Sequence, residues 1–216
     1  MDFHFSVDDV FDSLFDKEHP VVEFVNELEY PVDLYCFYQG DKGTLCDITD
    51  NHFNGHVEFN VHGLDKETPP YSQIPEEQKS VFNDIYYEFH RIGYKKSNQT
   101  RLHYFSESYE LSDYFLERGV DTLYTTDKPA LLWRLPIELK ETMSESGQCK
   151  HQGLNFVRTS LRIENLVGLA SYEIADTLVE LATSNKPISV MTHEYELMRP
   201  QVRELTNYVI KFLKDI

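Results

Sequence analysis

The chain is short of positive charge: 20 Lys+Arg against 37 Asp+Glu leave a formal charge of −17 over 216 residues. A surface of that sign repels phosphate backbones and anionic headgroups, so nucleic acid is not an expected partner. Cysteine is scarce as well. Cys36, Cys46 and Cys149 cannot all pair internally and make no Cys-x-x-Cys spacing, so neither a thiolate zinc centre nor a disulfide framework is expected. No run approaches the roughly 20 apolar residues of a membrane-spanning helix. The start, Met1-Asp2, has no basic stretch leading into an apolar core, so the sequence reads as cytoplasmic and without membrane insertion. Nothing resembling Gly-x-Gly-x-x-Gly or a phosphate-binding loop follows any strand-like run, and no internal repeat, low-complexity tract or linker is visible.

What is present is enough chain for one sizeable core, and residues 1–216 read as a single domain. Apolar runs of strand character recur at residues 3–7, 34–38, 59–62, 102–105, 122–125, 156–163 and 188–192. Helical periodicity lies between several of them: Val21-Val22-Phe24-Val25-Leu28, Val81-Ile85-Phe89-Ile92, Leu111-Tyr114-Phe115 and Ile174-Leu178-Leu181, with Val202-Leu205-Val209-Ile210-Leu213 closing the chain. Strands alternating with helices predict an α/β fold with a mainly parallel sheet, which at about seven units can close into a distorted (β/α)7-type barrel. Gly119 reads as a helix C-cap, and residues 40–55, 66–75 and 140–153 read as surface loops.

Polar groups gather at the ends of these runs: Asp8-Asp9, His62-Gly63-Leu64-Asp65, Arg101-Leu102-His103-Tyr104 and Thr192-His193-Glu194. Taken alone, Asp8-Asp9 has two readings. It is either a helix N-cap with first-turn charge, or a base beside a metal ligand at the mouth of a barrel. The series of four clusters favours the mouth.

The order of these motifs resembles the polysaccharide deacetylase family, of the chitooligosaccharide deacetylase type, over nearly the whole chain. More narrowly it is similar to a small group of signal-less bacterial deacetylase-like proteins. Ser6-Val7-Asp8-Asp9 matches the family's Thr-Phe-Asp-Asp, Arg101-Leu102-His103-Tyr104 its Arg-x-Pro-Tyr with His for Pro, and Val190-Met191-Thr192-His193 its Leu-x-His. The resemblance implies Asp8 as general base, Arg101 as the partner of its carboxylate, His193 as general acid, and Asp9 and His62 as ligands of a divalent metal (Mn, Zn, Co or Mg). It also implies a backbone N–H near Tyr104 in an oxyanion hole. The departure is in the family's His-x-x-x-His: Lys66 stands where the second imidazole belongs, and an ammonium cannot ligate a cation. Asp65 or Glu67, as an oxygen ligand, and His103, as the missing imidazole, are the candidates to fill the gap.

Tyr104, Trp133 and Glu194 are the expected substrate contacts, with Tyr71 and Tyr195 as further stacking surfaces for sugar faces. The expected function is metal-assisted hydrolysis of N- or O-acetyl groups on a carbohydrate. Two alternatives remain open. One is a non-catalytic carbohydrate-binding or scaffolding protein that has lost full metal ligation. The other is a glycoside hydrolase using Asp8 and Glu194. Arg158, Arg162 and Glu164 read as an internal ion-paired network.

Overall fold

The computed structural model describes residues 3–106, 109–128 and 135–216. In chain order the elements are β1 (His4–Val10), α1 (Pro20–Glu27), β2 (Val32–Phe37), the short pair β3 (Gln39–Gly40) and β4 (Gly43–Thr44), β5 (Val57–Gly63), α2 (Pro75–Ile92), β6 (Gln99–Thr100) and α3 (Ser112–Glu117). There follow β7 (Thr122–Thr125), α4 (Ile137–Ser146), β8 (Gln148–His151), β9 (Leu154–Arg158), β10 (Leu161–Arg162), α5 (Ser171–Thr183), β11 (Ser189–His193), α6 (Glu194–Leu197) and α7 (Pro200–Lys214). No helix among the described residues is long and apolar enough to cross a membrane.

The chain is mixed α/β, as the alternating periods predict. Five parallel strands run in the order β10-β11-β1-β2-β5, and a second sheet runs β6-β7-β9-β8 with only β8 antiparallel. All six residues of β2 are buried, the mark of a parallel strand covered on both faces. The helices take their boundaries from local chemistry. Proline stands in the first turn of α1, α2 and α7, where its missing N–H costs nothing, and Gly93 ends α2 at φ 83°, a conformation glycine adopts without strain. On α2 the side chains of Phe82, Ile85, Phe89 and Ile92 are buried; on α7 those of Val202, Val209, Ile210 and Leu213.

Among the described residues the expected barrel is not seen to close: the two sheets are not joined into one continuous ladder. At one seam β5 meets the second sheet through a single parallel bridge, Phe59 with Lys96. At the other, the expected strand over 156–163 breaks between β9 and β10. There the Thr159 N–H and hydroxyl both bond back to the Thr125 carbonyl, while the Ser160 N–H crosses to the Ser189 carbonyl of the first sheet. Two small hydroxyl residues thus turn the chain from one sheet into the other. The predicted strand at 102–105 is instead a tight 3₁₀ turn, because Tyr104 and Phe105 lie at φ 55° and 53°, outside the extended region. The stretch 140–153, expected as loop, holds most of α4 and all of β8.

Candidate metal centre and acid–base pairs

The β1 strand does not run straight into its helix. Its register with β2 shifts between Val7 and Val10, and at that bulge Asp9 sits at φ 57°. A left-handed non-glycine residue costs of order 1 kcal/mol, and Asp tolerates it better than most. The bulge lets consecutive carboxylates do different work. Asp8 stays inside, only 2% exposed, while Asp9 turns toward the ends of β5 and the 103–105 turn.

There Asp9 Oδ1 lies 3.0 Å from His62 Nε2 and 3.2 Å from His103 Nδ1. The far nitrogen of each ring is engaged with a carbonyl. His62 Nδ1 is 2.5 Å from the Arg101 oxygen, and His103 Nε2 is 3.0 Å from the Lys66 oxygen. A carbonyl can only accept, so each of those nitrogens carries the hydrogen, assigned here from its partner. The near nitrogens of both rings face the same carboxylate oxygen, donating to it where they carry a proton and offering a lone pair to a cation where they do not. One potential ligand atom from each of Asp9, His62 and His103 lies within 4.8 Å of the others, close enough for all three to reach one ion. Carbonyl-anchored imidazoles are the usual supports of metal ligands. Burial pushes the Asp9 carboxyl up, but the His103 and His62 rings outweigh it and hold it well below the usual carboxylate range. The donor set, two nitrogens and one carboxylate oxygen, fits a first-row divalent ion such as Zn²⁺, Co²⁺ or Mn²⁺.

The same open pocket, about 450 Å³, is lined by both carboxylates, His62, His103, Tyr104 and His193. On one side Arg101, wholly buried, donates from Nη1 to Asp8 Oδ1 at 2.9 Å and to Ser6 Oγ at 2.7 Å, and Ser6 Oγ donates to the same carboxylate at 3.3 Å. On the other, His193 Nδ1 donates to Glu164 Oε1 at 2.7 Å. Burial works against the charged imidazole, but the Glu164 hydrogen bond and charge outweigh it, so His193 titrates above its ordinary value; Glu164 in turn is held below its own, its burial overcome by His193. The Tyr195 ring stacks on His193 at 5.1 Å and that of Tyr104 lies 4.1 Å from His103, with Tyr71 edge-on beyond it at 6.3 Å.

The structure thus brings together Asp8, Arg101, Asp9, His62, His103, Tyr104 and His193. Two expected site residues are occupied elsewhere. Asp65 is not in the ligand group: its carboxylate accepts from the N–H groups of Glu67 and Thr68 and from the Gln39 amide, which shapes the turn after β5. Glu194 is 5% exposed and accepts from the N–H groups of Phe11, Asp12 and Ser13 at 2.8–3.1 Å, capping the single turn after β1, so its carboxylate is spent on backbone. Trp133 lies outside the described residues. Lys66 lines the same pocket, with its ammonium 3.5 Å from Asp41 and its carbonyl against the His103 ring.

Glu164 is the site residue that sequence reasoning misplaced. The expected network with Arg158 and Arg162 is centred on Asp127, which pairs with Arg162 at 2.6 Å and offers its carbonyl to Arg158. The available signal was position: Glu164 directly follows β10, which lies beside β11, the strand that carries His193.

No protein-family model matches the sequence, and no curated protein matches it. Among solved structures, the chain is similar to a 4-alpha-glucanotransferase from Thermococcus litoralis, with TM-score 0.58 and 15% identity over 99% of this chain. It spans only 37% of that protein's length. It is also similar to a family 4 carbohydrate esterase from Streptomyces lividans determined with acetate, with TM-score 0.56 and 6% identity, covering 99% of this chain and 88% of that one. At such identities the likeness shows the fold alone, a mixed α/β chain with mainly parallel sheets.

Proposed function

We propose that the protein is a metal-dependent carbohydrate deacetylase that hydrolyses N- or O-acetyl groups on a sugar. The observation that carries this reading is the grouping, in one pocket, of the Asp9–His62–His103 cluster with an Arg-paired carboxylate and a Glu-paired imidazole. The fold shared with the esterase supports it.

Asp9, His62 and His103 would hold the ion, which supplies Lewis-acid polarisation of the acyl carbonyl and an acidified water. Asp8 takes the proton from the attacking water. Its carboxylate faces a charge-assisted hydrogen bond from Arg101 and is oriented by Ser6. His193, whose protonated form Glu164 favours, returns a proton to the departing amine nitrogen or alcohol oxygen. Tyr104 and Tyr195, exposed at the rim, offer faces for the sugar ring. The binding-only alternative rested on Lys66 displacing the metal; with Lys66 paired to Asp41 and His103 in the ligand group, that motive is gone. The glycoside hydrolase alternative needed a free Glu194 carboxylate, which the backbone caps occupy.

The test is acetate release from N-acetylated oligosaccharides and O-acetylated sugars after loading with Zn²⁺, Co²⁺ or Mn²⁺. Asp8→Asn and His193→Ala should each lose about 100-fold or more, the usual worth of general acid–base catalysis. Turnover by Asp8→Asn equal to the parent, or no acetate released from any substrate by any loaded form, would sink the proposal.

A further inference from the structure

Behind Arg101 lies a largely buried polar cluster that the proposed chemistry does not use. Arg101 Nη2 donates to Ser189 Oγ at 3.0 Å. That hydroxyl still has its own hydrogen to give, and the ring of His4 offers Nδ1 at 3.3 Å. If Nδ1 accepts, the His4 hydrogen must sit on Nε2, where Asp33 Oδ2 waits at 3.0 Å. Asp33 Oδ2 also receives the hydroxyls of Ser97, at 3.0 Å, and Tyr35, at 3.3 Å. With that tautomer the chain of bonds runs guanidinium to Ser189, Ser189 to His4 and His4 to Asp33, and the Tyr35 hydroxyl, itself 3.0 Å from Nε2, donates to Asp33. Burial, the largest influence on His4, outweighs Asp33 and lowers its pKa, which agrees with a neutral ring that can accept at one nitrogen and donate at the other.

The sides of this chain are closed by aromatic rings. His4 stacks on Tyr124 at 4.0 Å with the planes 12° apart, and the Arg101 guanidinium lies over the rings of Tyr124 and Tyr35 at 5.2 and 5.8 Å. The groups facing His4 thus come from β2 (Asp33, Tyr35), β7 (Tyr124) and β11 (Ser189), so one imidazole on β1 ties both of its flanking strands and one strand of the second sheet to the residue that holds Asp8.

We propose that His4 is a positioning residue: backed by Asp33 and acting through Ser189, it aims the Arg101 guanidinium at Asp8. Its catalytic consequence rests on the deacetylase reading, whereas its structural content does not. The experiment separates the two. Side-chain ¹⁵N spectra of Arg101 in the intact protein report hindered rotation of its Nη groups, and acetate release by the metal-loaded protein is measured on the same samples.

In the parent the Arg101 Nη signals should be resolved. Ser189→Ala and His4→Phe should merge them and lower kcat about tenfold, equivalent to about 1.4 kcal/mol, with KM within about twofold. His4→Asn, whose amide oxygen can take the place of Nδ1, should restore much of both. Resolved Nη signals in both Ser189→Ala and His4→Phe overturn the proposal and make the cluster a polar filling of the core. Should His4→Phe not fold, Ser189→Ala, a loss of one oxygen, decides alone. Absence of acetate release in the parent counts against the deacetylase reading and leaves the spectral result to decide this one.

Discussion

Replacing Arg101 by Met removes a cation that is 0% exposed and leaves Asp8, 2% exposed, without its ion-pair partner. Methionine fills comparable space, so the cost is electrostatic rather than a cavity. Breaking a buried pair from one side costs about 3–5 kcal/mol, because the surviving charge stays out of water. For a chain of this size each kcal/mol is worth about 2–4 °C, so the melting temperature should fall by about 6–20 °C. Asp8→Asn should be costly for the same reason, since it strands the guanidinium among the Tyr35 and Tyr124 rings. The double variant Asp8→Asn/Arg101→Met has no stranded charge and should be more stable than the sum of the singles implies, with a coupling of about 2 kcal/mol or more. Urea unfolding of the four proteins, with slopes compared to check that the unfolded states match, closes the cycle. An Arg101→Met protein within about 1 kcal/mol of the parent, or strictly additive singles, would refute the claim that this pair is a dry, mutually dependent unit.

In Glu164→Gln the amide still accepts from His193, but the charge that opposes burial is gone, so the ring should titrate below its present value in an NMR pH titration. The sign for stability follows. The raised His193 contributes in full below its ordinary 6.5 and loses that as pH rises through its folded value; the lowered Glu164 contributes above its ordinary 4.5 and loses that as pH falls. The variant should therefore be most destabilised, relative to the parent, between pH 4.5 and 6.5. His103→Ala should weaken Zn²⁺ or Co²⁺ binding by more than about 100-fold in calorimetric titration, beyond the 10–100-fold of outer-sphere changes, whereas Asp65→Ala should cost about tenfold or less, as a residue that only shapes the turn. Glu194→Ala orphans three N–H groups and should destabilise by about 2–4 kcal/mol in urea unfolding, with metal affinity unchanged.

Much of the fold was readable because its signals are local. The apolar spacing of α2 and α7 and the β-branched and aromatic runs of β1, β2 and β5 are one-dimensional patterns that survive folding. What failed to read depended on the third dimension. Thr159 and Ser160 look like any strand residues until their bonds are seen to part toward different sheets. The turn at His103–Phe105 hides because Tyr104 and Phe105 are good strand formers held at positive φ beside tertiary contacts, Phe105 beneath the Arg162 guanidinium and Tyr104 against His103 and Tyr71. At the site, Asp8, Asp9, Arg101 and His193 announced themselves by order along the chain, while the pairing of His193 with Glu164 and the role of Glu194 as a cap are matters of distance that spacing does not encode.

The Lys66 carbonyl, which fixes the His103 ring, has a bearing on how position 66 will behave in a mutational scan. Its side chain is spent on an exposed partner, so most substitutions there should be silent, and the position will score as dispensable. The backbone oxygen it supplies is another matter. It is presented by the turn that Asp65 ties at Glu67 and Thr68, and proline at either of those two N–H positions would remove a tie and swing the oxygen away from the imidazole. Tolerance to side chains at one residue and intolerance to proline just after it would mark a site built partly from main chain, invisible to any comparison of residue identities.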